Sequence, residues 1–560
     1  MNRRGLLGLG AAAVALPGMA FTERLRDRRL FDVQAYGARG DGKAKNTDAI
    51  QKAINAAYQA GGGVVYLSPG IYLSGGIVLK DNVTLYLEAG ATLLSSRDIH
   101  DFEPHFGWDR RITDNIRHLI FARDAVNVAV CGAGKIDGQG PLFWKRTKPT
   151  PRPEDLWKET INAEWEALDG GTRLDVRPSP LLEFVNCRNL HIEGITVENP
   201  PGWTLRPINC ESVFINGFRV RGSVHGPNTD GMDITCCRNV FISNCDIATG
   251  DDALCLKSEN PYGREVTPTK NITITNCVLT GSSNGFKMGT ASQGAFENIT
   301  FANSVVYNDD VPLNARLISG VAIEMVDGGS IDGVLVSNIR MQNVRTPIFV
   351  RLGNRSGNPP SGPKRGALRG VMIDNVHATG AILTSLVTGL PDHDVEDVTL
   401  SNIRIETWEG GKREWVTREI PELPADYPEA RMFGRLPAYG LYCRHVNGIR
   451  LESLSVESRK PDMRPLLLCD DVKNLSVSNL AGSAPASSEP LLLFRNVRRA
   501  FIHGCAAPPR TETFLRAEGE RSSNISLVGN DLSAAANATE AREGATADAI
   551  SEIANKTPSK

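Results

Sequence analysis

One short pattern of apolar and polar positions recurs along most of this chain. Asn189-Leu190-His191-Ile192-Glu193-Gly194 has a polar lead residue, apolar positions alternating with polar ones, and a closing Asn or Gly. The phrase returns as Asn239-Val240-Phe241-Ile242-Ser243-Asn244, Asn271-Ile272-Thr273-Ile274-Thr275-Asn276 and Asn298-Ile299-Thr300-Phe301-Ala302-Asn303. Other copies begin near Val83, Val128, Val334, Val371, Val398, Ile449, Leu475, Ala500 and Ile525. Alternation with period two marks a half-buried strand. Close neighbours recur every 23 to 27 residues, as from Leu190 to Val213 and from Leu475 to Ala500, and longer gaps read as the same unit with an inserted loop. A propeller blade needs about 40 residues and four strands, so the unit is too short for one. It fits one coil of a right-handed, single-stranded parallel β-helix, an all-β solenoid with about three strands per coil. The closing Asn residues are placed to form hydrogen-bonded ladders from coil to coil.

The pattern also predicts the ends and the interruptions. Asn46 to Ala57 reads as an amphipathic helix with a polar N-cap, ending at Gly61-Gly62-Gly63, and is expected to cover the N-terminal coil. The β-helix is expected over residues 30–530. Residues 533–560, rich in Ala, Glu and Thr, read as a weak helix or a disordered tail. Two stretches break the repeat: residues 137–180, with Trp144, Trp157 and Trp165, and residues 406–440, with Trp408, Trp415 and several prolines. Loops on a rigid scaffold commonly carry function.

Residues 1–20 read as an export signal. Met1-Asn2-Arg3-Arg4 is basic, Gly5 to Leu16 is a short apolar run, and Gly18-Met19-Ala20 offers small residues for cleavage. The paired arginines resemble a twin-arginine signal, so a periplasmic or secreted location is expected, with no stable membrane span. The 560 residues carry a net charge of −2, which gives no reason to expect nucleic acid as a partner. A monomer is expected. The 11 cysteines include no CxxC pair, and several follow Asn inside the repeat, as in Asn186-Cys187, Asn209-Cys210, Asn244-Cys245 and Asn276-Cys277. That placement favours small, packed, free thiols over disulfides or zinc.

The candidate chemistry lies in Asn228-Thr229-Asp230-Gly231 and Gly250-Asp251-Asp252. Asp230 precedes Asp251 by 21 residues and Asp252 by 22, close to one coil. Coils stack about 4.8 Å apart, so the three acids come to one region. Crowded carboxylates resist joint ionisation, which suits glycosidic hydrolysis: one acid protonates the leaving oxygen while another activates water. On spacing alone a calcium site or a polar turn ladder fits equally well. Gly132-Ala133-Gly134-Lys135 lacks the first Gly and the following Ser/Thr of a phosphate loop. His225 is more simply a structural loop histidine than a site residue.

Taken in order, these motifs resemble glycoside hydrolase family 28, the polygalacturonase-like pectin hydrolases. The matching stretches are Tyr36-Gly37-Ala38-Arg39-Gly40-Asp41-Gly42, Ile136-Asp137-Gly138-Gln139-Gly140, the two acidic motifs, and Gly285-Phe286-Lys287-Met288-Gly289-Thr290. The resemblance implies a pectin-lyase-like β-helix and an inverting mechanism with no metal or other cofactor, acting on a polysaccharide or oligosaccharide. It makes Asp251 the general acid. Asp230 and Asp252 position and deprotonate the attacking water, and Asn228 orients the cluster and touches the sugar. The chain departs from the family twice. Ser283-Asn284-Gly285 stands for the usual Gly-His-Gly, and Ala322-Ile323-Glu324 for an Arg-Ile-Lys clamp on a substrate carboxylate. Asn284, Lys287, Glu324 and Arg351 are therefore the candidate substrate-binding residues, with Arg316 and Arg355 as further basic side chains. The departures weigh against plain polygalacturonan and toward rhamnogalacturonan or another decorated pectin glycan. The competing readings are a β-helical polysaccharide lyase and a non-catalytic glycan-binding solenoid.

Overall fold

The structure is a computed structural model of the chain, and it describes residues 29–105, 116–146, 165–167, 177–260, 265–309, 311, 313–357 and 365–557. The export segment 1–20 and Trp157 lie outside the described residues.

Period-two strands wrap into a right-handed parallel β-helix. Among the described residues 39 strands join in one wrapped sheet. Leu182–Val185, Arg188–Glu193 and Thr196–Glu198 make one coil. They pair in parallel with Leu205–Ile208, Glu211–Asn216 and Arg219–Arg221 of the next coil. Between Ala295 and Thr407 the second and third strands fuse into single long ones, Ala295–Tyr307, Ser330–Gln342, Ala367–Ala381 and Val395–Thr407, so these coils show two strands where three were expected. The corner survives inside each fused strand as a left-handed Asn: Asn303 (φ 53°), Asn338 (57°), Asn375 (51°) and Asn402 (52°). Asn adopts this conformation more readily than most side chains. Its amide also links the coils, with Asn338 Nδ2 donating to Asn303 Oδ1 at 2.9 Å and Asn375 Nδ2 to Asn338 Oδ1 at 2.7 Å.

The apolar positions of the repeat form one internal column. Leu190, Val213, Val240, Ile272, Ile299, Val334, Val371, Val398, Ile449, Leu475, Ala500 and Ile525 follow one another in register and all are buried. Each buried Val, Leu or Ile contributes about 1.5–3 kcal/mol. All 11 cysteines are buried and free, and eight of them, such as Cys187, Cys210 and Cys237, pack in this interior.

The helix spans Thr47–Gln59 and sends Ala49, Ile50, Ala53, Ile54 and Ala57 into the same core. Its N-cap is Asn46, but that side chain makes no capping bond. It accepts instead from the Arg39 amide (2.6 Å) and donates to the Ala44 carbonyl (2.7 Å), tying down the preceding turn. The expected helical or disordered tail is corrected. Ala535–Arg542 and Ile550–Ile553 are strands that pair in parallel with Thr511–Glu518 and Ser523–Val528 and extend the stack. Small residues at the inward positions, such as Ala535, hide the alternation there. No helix among the described residues is long and apolar enough to cross a membrane.

Candidate active site

One face of the β-helix, here called the front sheet, carries the acids. Its central strands are Met232–Thr235, Leu254–Ser258, Asn284–Ser292, Ser319–Met325 and Thr346–Leu352. Asp230 and Asp252 sit two residues before the pairing Met232↔Leu254 on adjacent coils, and Asn284 two before Phe286, the partner of Leu254. The backbone bonds agree: the Gly231 amide donates to the Asp252 carbonyl at 2.9 Å, and the Ala253 amide to the Asn284 carbonyl at 2.8 Å. The 22-residue spacing is therefore one coil. Consecutive residues in a strand would point apart, but Asp251 and Asp252 lie in a bend before the strand, where the Asp252 amide donates to Asp251 Oδ1 at 2.9 Å. Gly250 makes the bend possible, because a Cβ there would sit 2.5 Å from the carbonyl oxygens of Ser223 and Gly226. Asp230, Asp251 and Asp252 each present a carboxyl oxygen within 4.8 Å of the others.

Their environments separate their protonation states. Asp251 is half-buried, and burial followed by the charge of Asp252 pushes its carboxyl up to about 7. Asp252 is 3% exposed, and burial opposes its charge. Lys287, then Lys257, with hydrogen bonds from Asn284 and Lys287, outweigh that and hold its carboxyl below the ordinary value. The contacts are direct: Asn284 Nδ2 donates to Asp252 Oδ1 at 2.7 Å, and Lys287 Nζ lies 3.1 Å from Oδ2. Burial, reinforced by Asp233 and Asp251, raises Asp230 well above the carboxylate range. The site thus sets a protonated acid beside a fixed carboxylate, the division that acid–base chemistry on a glycosidic bond uses.

The other expected residues divide. Asn228, at φ 50°, points its amide toward Asp251 Oδ2 at 3.5 Å, at the edge of hydrogen-bond range. Asn284 and Lys287 join the cluster through Asp252. Glu324 is buried 3.9 Å from Lys287, and burial, only partly opposed by Lys287, pushes it up to about 8. Arg351 is a correction. Its buried guanidinium donates to the carbonyls of Gly389 (3.0 Å), Glu422 (2.7 Å) and Leu423 (3.2 Å), so it straps the second insertion rather than facing substrate. Arg355 is paired with Asp327 at 2.6 Å.

The second insertion packs against the front sheet, and of the first the structure describes residues 137–146, 165–167 and 177–180. In the first, Trp144 is buried and its indole donates to the Pro201 carbonyl at 2.8 Å. Trp144–Arg146 pairs with Trp165–Ala167 as a small antiparallel ladder. In the second, Val416, Ile420, Phe433 and Leu436 cover the outward residues Ala322, Phe349, Leu386 and Tyr442. The sheet beyond Lys287 is closed off on that side. Tyr427 reaches back from the insertion, its hydroxyl 3.3 Å from Lys287 Nζ and 3.0 Å from Thr290 Oγ1. Sequence reasoning missed Tyr427, which stands in a stretch without repeat. It also missed the buried pair Asp233–Lys257 (3.3 Å) and Trp203, whose ring lies 4.8 Å from Lys257 Nζ. Charged residues at outward positions of fully buried strands were the available signal for that pair.

Comparison with known proteins gives the family. The model of Glycosyl hydrolases family 28 matches residues 102–425, and that of Rhamnogalacturonase A/epimerase, pectate lyase-like, matches residues 30–132. A probable polygalacturonase of Vitis vinifera is 25% identical over 72% of this chain and 79% of its own length. An exo-poly-alpha-D-galacturonosidase of Dickeya chrysanthemi is 26% identical over 59% of this chain and 58% of its own. In structure, a hyperthermoactive exopolygalacturonase from Thermotoga maritima covers 70% of this chain and 91% of its own, with a TM-score of 0.54 at 22% identity, a likeness of fold. A β-helix with three converging aspartates, matched over more than half its length by one family model, belongs to glycosyl hydrolases family 28 and is a glycoside hydrolase.

Proposed function

We propose that this chain is an exported, monomeric hydrolase of pectin-type polysaccharide that works from a chain end by inversion and without a metal. The observation that carries the chemistry is the contrast between Asp251, pushed up to about 7, and Asp252, held ionised by Lys287 and Asn284. Asp251 gives its proton to the glycosidic oxygen as the bond to the anomeric carbon breaks. A water held by Asp230 and Asp252 attacks that carbon and passes a proton to Asp252. The new hydroxyl and the departing alcohol complete the balance. Asn228 orients Asp251.

Carboxyl spacing alone favours the other stereochemistry. Inverting pairs are usually about 6.5–9.5 Å apart, to leave room for water, whereas these oxygens lie within 4.8 Å. Inversion is supported by the family resemblance. Lys287 also bears on the metal question, since its ammonium 3.1 Å from Asp252 already gives that carboxylate a cation partner. Action from a chain end is supported by the second insertion, which covers the sheet past Lys287. Export rests on the twin-arginine-like segment alone.

Product analysis on pectic fragments tests the proposal. One small saccharide released from the first minutes, with new reducing ends and no ultraviolet absorbance from an unsaturated sugar, is the expected result. A ladder of intermediate lengths would refute end-wise action, and strong absorbance would replace hydrolysis with elimination.

A further inference from the structure

Building on the hydrolase reading, we infer that Tyr427 is a positioning residue: it acts through Lys287 on Asp252, so the second insertion completes the water-activating base as well as walling the groove. A lysine ammonium is a point charge on a flexible four-carbon stem, and its place is set by the oxygens that receive its three hydrogens. Lys287 stands on the strand Asn284–Ser292, in register with Cys255 on one side and Ala322 on the other. The methyl of Ala322 offers it no hydrogen bond. Its oxygens are Asp252 Oδ2 at 3.1 Å, the Tyr427 hydroxyl at 3.3 Å and Glu324 Oε2 at 3.9 Å. Glu324, pushed up to about 8 by burial, is protonated at neutral pH. Asp252 is therefore the charged member of the three, and Tyr427 is the one that the coils do not themselves provide.

Tyr427 lies between the strands Val395–Thr407 and Leu441–Ser458, and its position is fixed from both sides. Arg351 donates to the carbonyls of Glu422 and Leu423, and the Asn354 amide donates to that of Pro424 at 2.7 Å. Three consecutive carbonyls just before Tyr427 are thus tied to the coil that carries Thr346–Leu352 and its exit. Pro428 follows and keeps the Tyr427 backbone extended, because a proline ring disfavours the helical conformation in the residue before it. Thr290 Oγ1, on the same strand as Lys287, donates to the hydroxyl at 3.0 Å. A phenol is uncharged at neutral pH, so it receives the ammonium without competing for its charge. Tyr427 is 53% exposed, so its hydroxyl contacts rather than core packing set its place. The contacts form one line from Arg351 through Tyr427 and Lys287 to Asp252.

Without the Tyr427 hydroxyl the ammonium keeps its charge but loses an anchor, and its hold on Asp252 weakens. An opposite charge at short range lowers a carboxylate, so loosening it lets Asp252 bind a proton at higher pH. Asn284 and Lys257 continue to favour the charge of Asp252, with Asp230, Asp233, Asp251 and Glu324 as the carboxyls around it. Tyr427→Phe keeps the ring and removes one oxygen. Its kcat is expected to fall about tenfold or more, since a shift of about 1 Å at a reacting group can cost on the order of 100-fold, while KM changes by less than about threefold. The acidic limb of kcat/KM is expected to move up by about half a pH unit or more. A raised KM with kcat and the acidic limb in place would make Tyr427 a wall of the groove alone and overturn the inference. The same shift can be read without turnover, by NMR on the Asp251→Asn protein with isotope-labelled aspartate carboxyls. The Asp252 signal, assigned by its loss in Asp252→Asn, should titrate at higher pH once Tyr427→Phe is added. An unmoved Asp252 midpoint would overturn the inference whatever the activity. Absence of hydrolysis in the native protein, with the midpoint shifted by Tyr427→Phe, would sink the catalytic reading and leave the positioning of Asp252 standing.

Discussion

Asp251 and Asp252 are neighbours in sequence, yet their surroundings drive their ionisation in opposite directions. Asp251 acts as an acid only while protonated, so kcat/KM should fall about tenfold per pH unit above roughly 7. The acidic limb belongs to Asp252, whose lowered value puts it below the ordinary carboxylate range. Stability carries the reverse consequence for Asp251. Its folded value lies above its unfolded one, so the folded chain binds more protons between about pH 4 and 7 and this group lowers stability as pH rises through that window. Asp251→Asn removes that liability. It is expected to cut turnover at least 1,000-fold, an order typical of losing a general acid, with no loss of melting temperature at pH 7. A pH–rate profile and a thermal scan check both parts, and retained activity within tenfold would count decisively against the role. At this scale the acids were legible because motif and coil spacing agree. Their partners were less so. Lys287 and Glu324 were singled out by position, but nothing in a linear sequence says that the two lie 3.9 Å apart across adjacent coils.

The second insertion illustrates what an element adds. It has no repeat to read, and its carbonyls must find donors where it crosses the sheet. Arg351 supplies them, which is why a basic residue on the site-bearing face turned out to be a strap. Arg351→Met keeps the apolar stem and leaves the carbonyls of Gly389, Glu422 and Leu423 without this donor. At about 1–3 kcal/mol for each buried group left unpaired, the insertion should loosen well before the solenoid does. Hydrogen exchange and limited proteolysis should rise within residues 416–436 while the coils stay protected. Unchanged protection there would show that the apolar contacts hold the insertion alone. Tyr427 belongs to the same element, so the loosening should also weaken substrate binding.

Across the whole molecule, the pattern of the sequence carried most of the fold. The 12 positions of the internal column are those at which the repeat phrase presents its apolar residue, and they stack in order from Leu190 to Ile525. The last coils were missed because alanine at inward positions gives little alternation to detect. Fusion of two strands into one was missed because an Asn corner reads alike whether or not the pairing continues through it. The cysteines are buried, free thiols, so all 11 should react with a thiol reagent after denaturation without reductant. A count lower by two or four would reveal disulfides. The chemistry itself is judged most directly by the anomeric configuration of the first product. Early-time proton NMR on an α-linked pectic oligosaccharide should show the β anomer first, with the α anomer growing in only as mutarotation proceeds. An initial α anomer would mean that a carboxylate, not water, attacks the sugar, and would contradict the division of labour between Asp251 and Asp252.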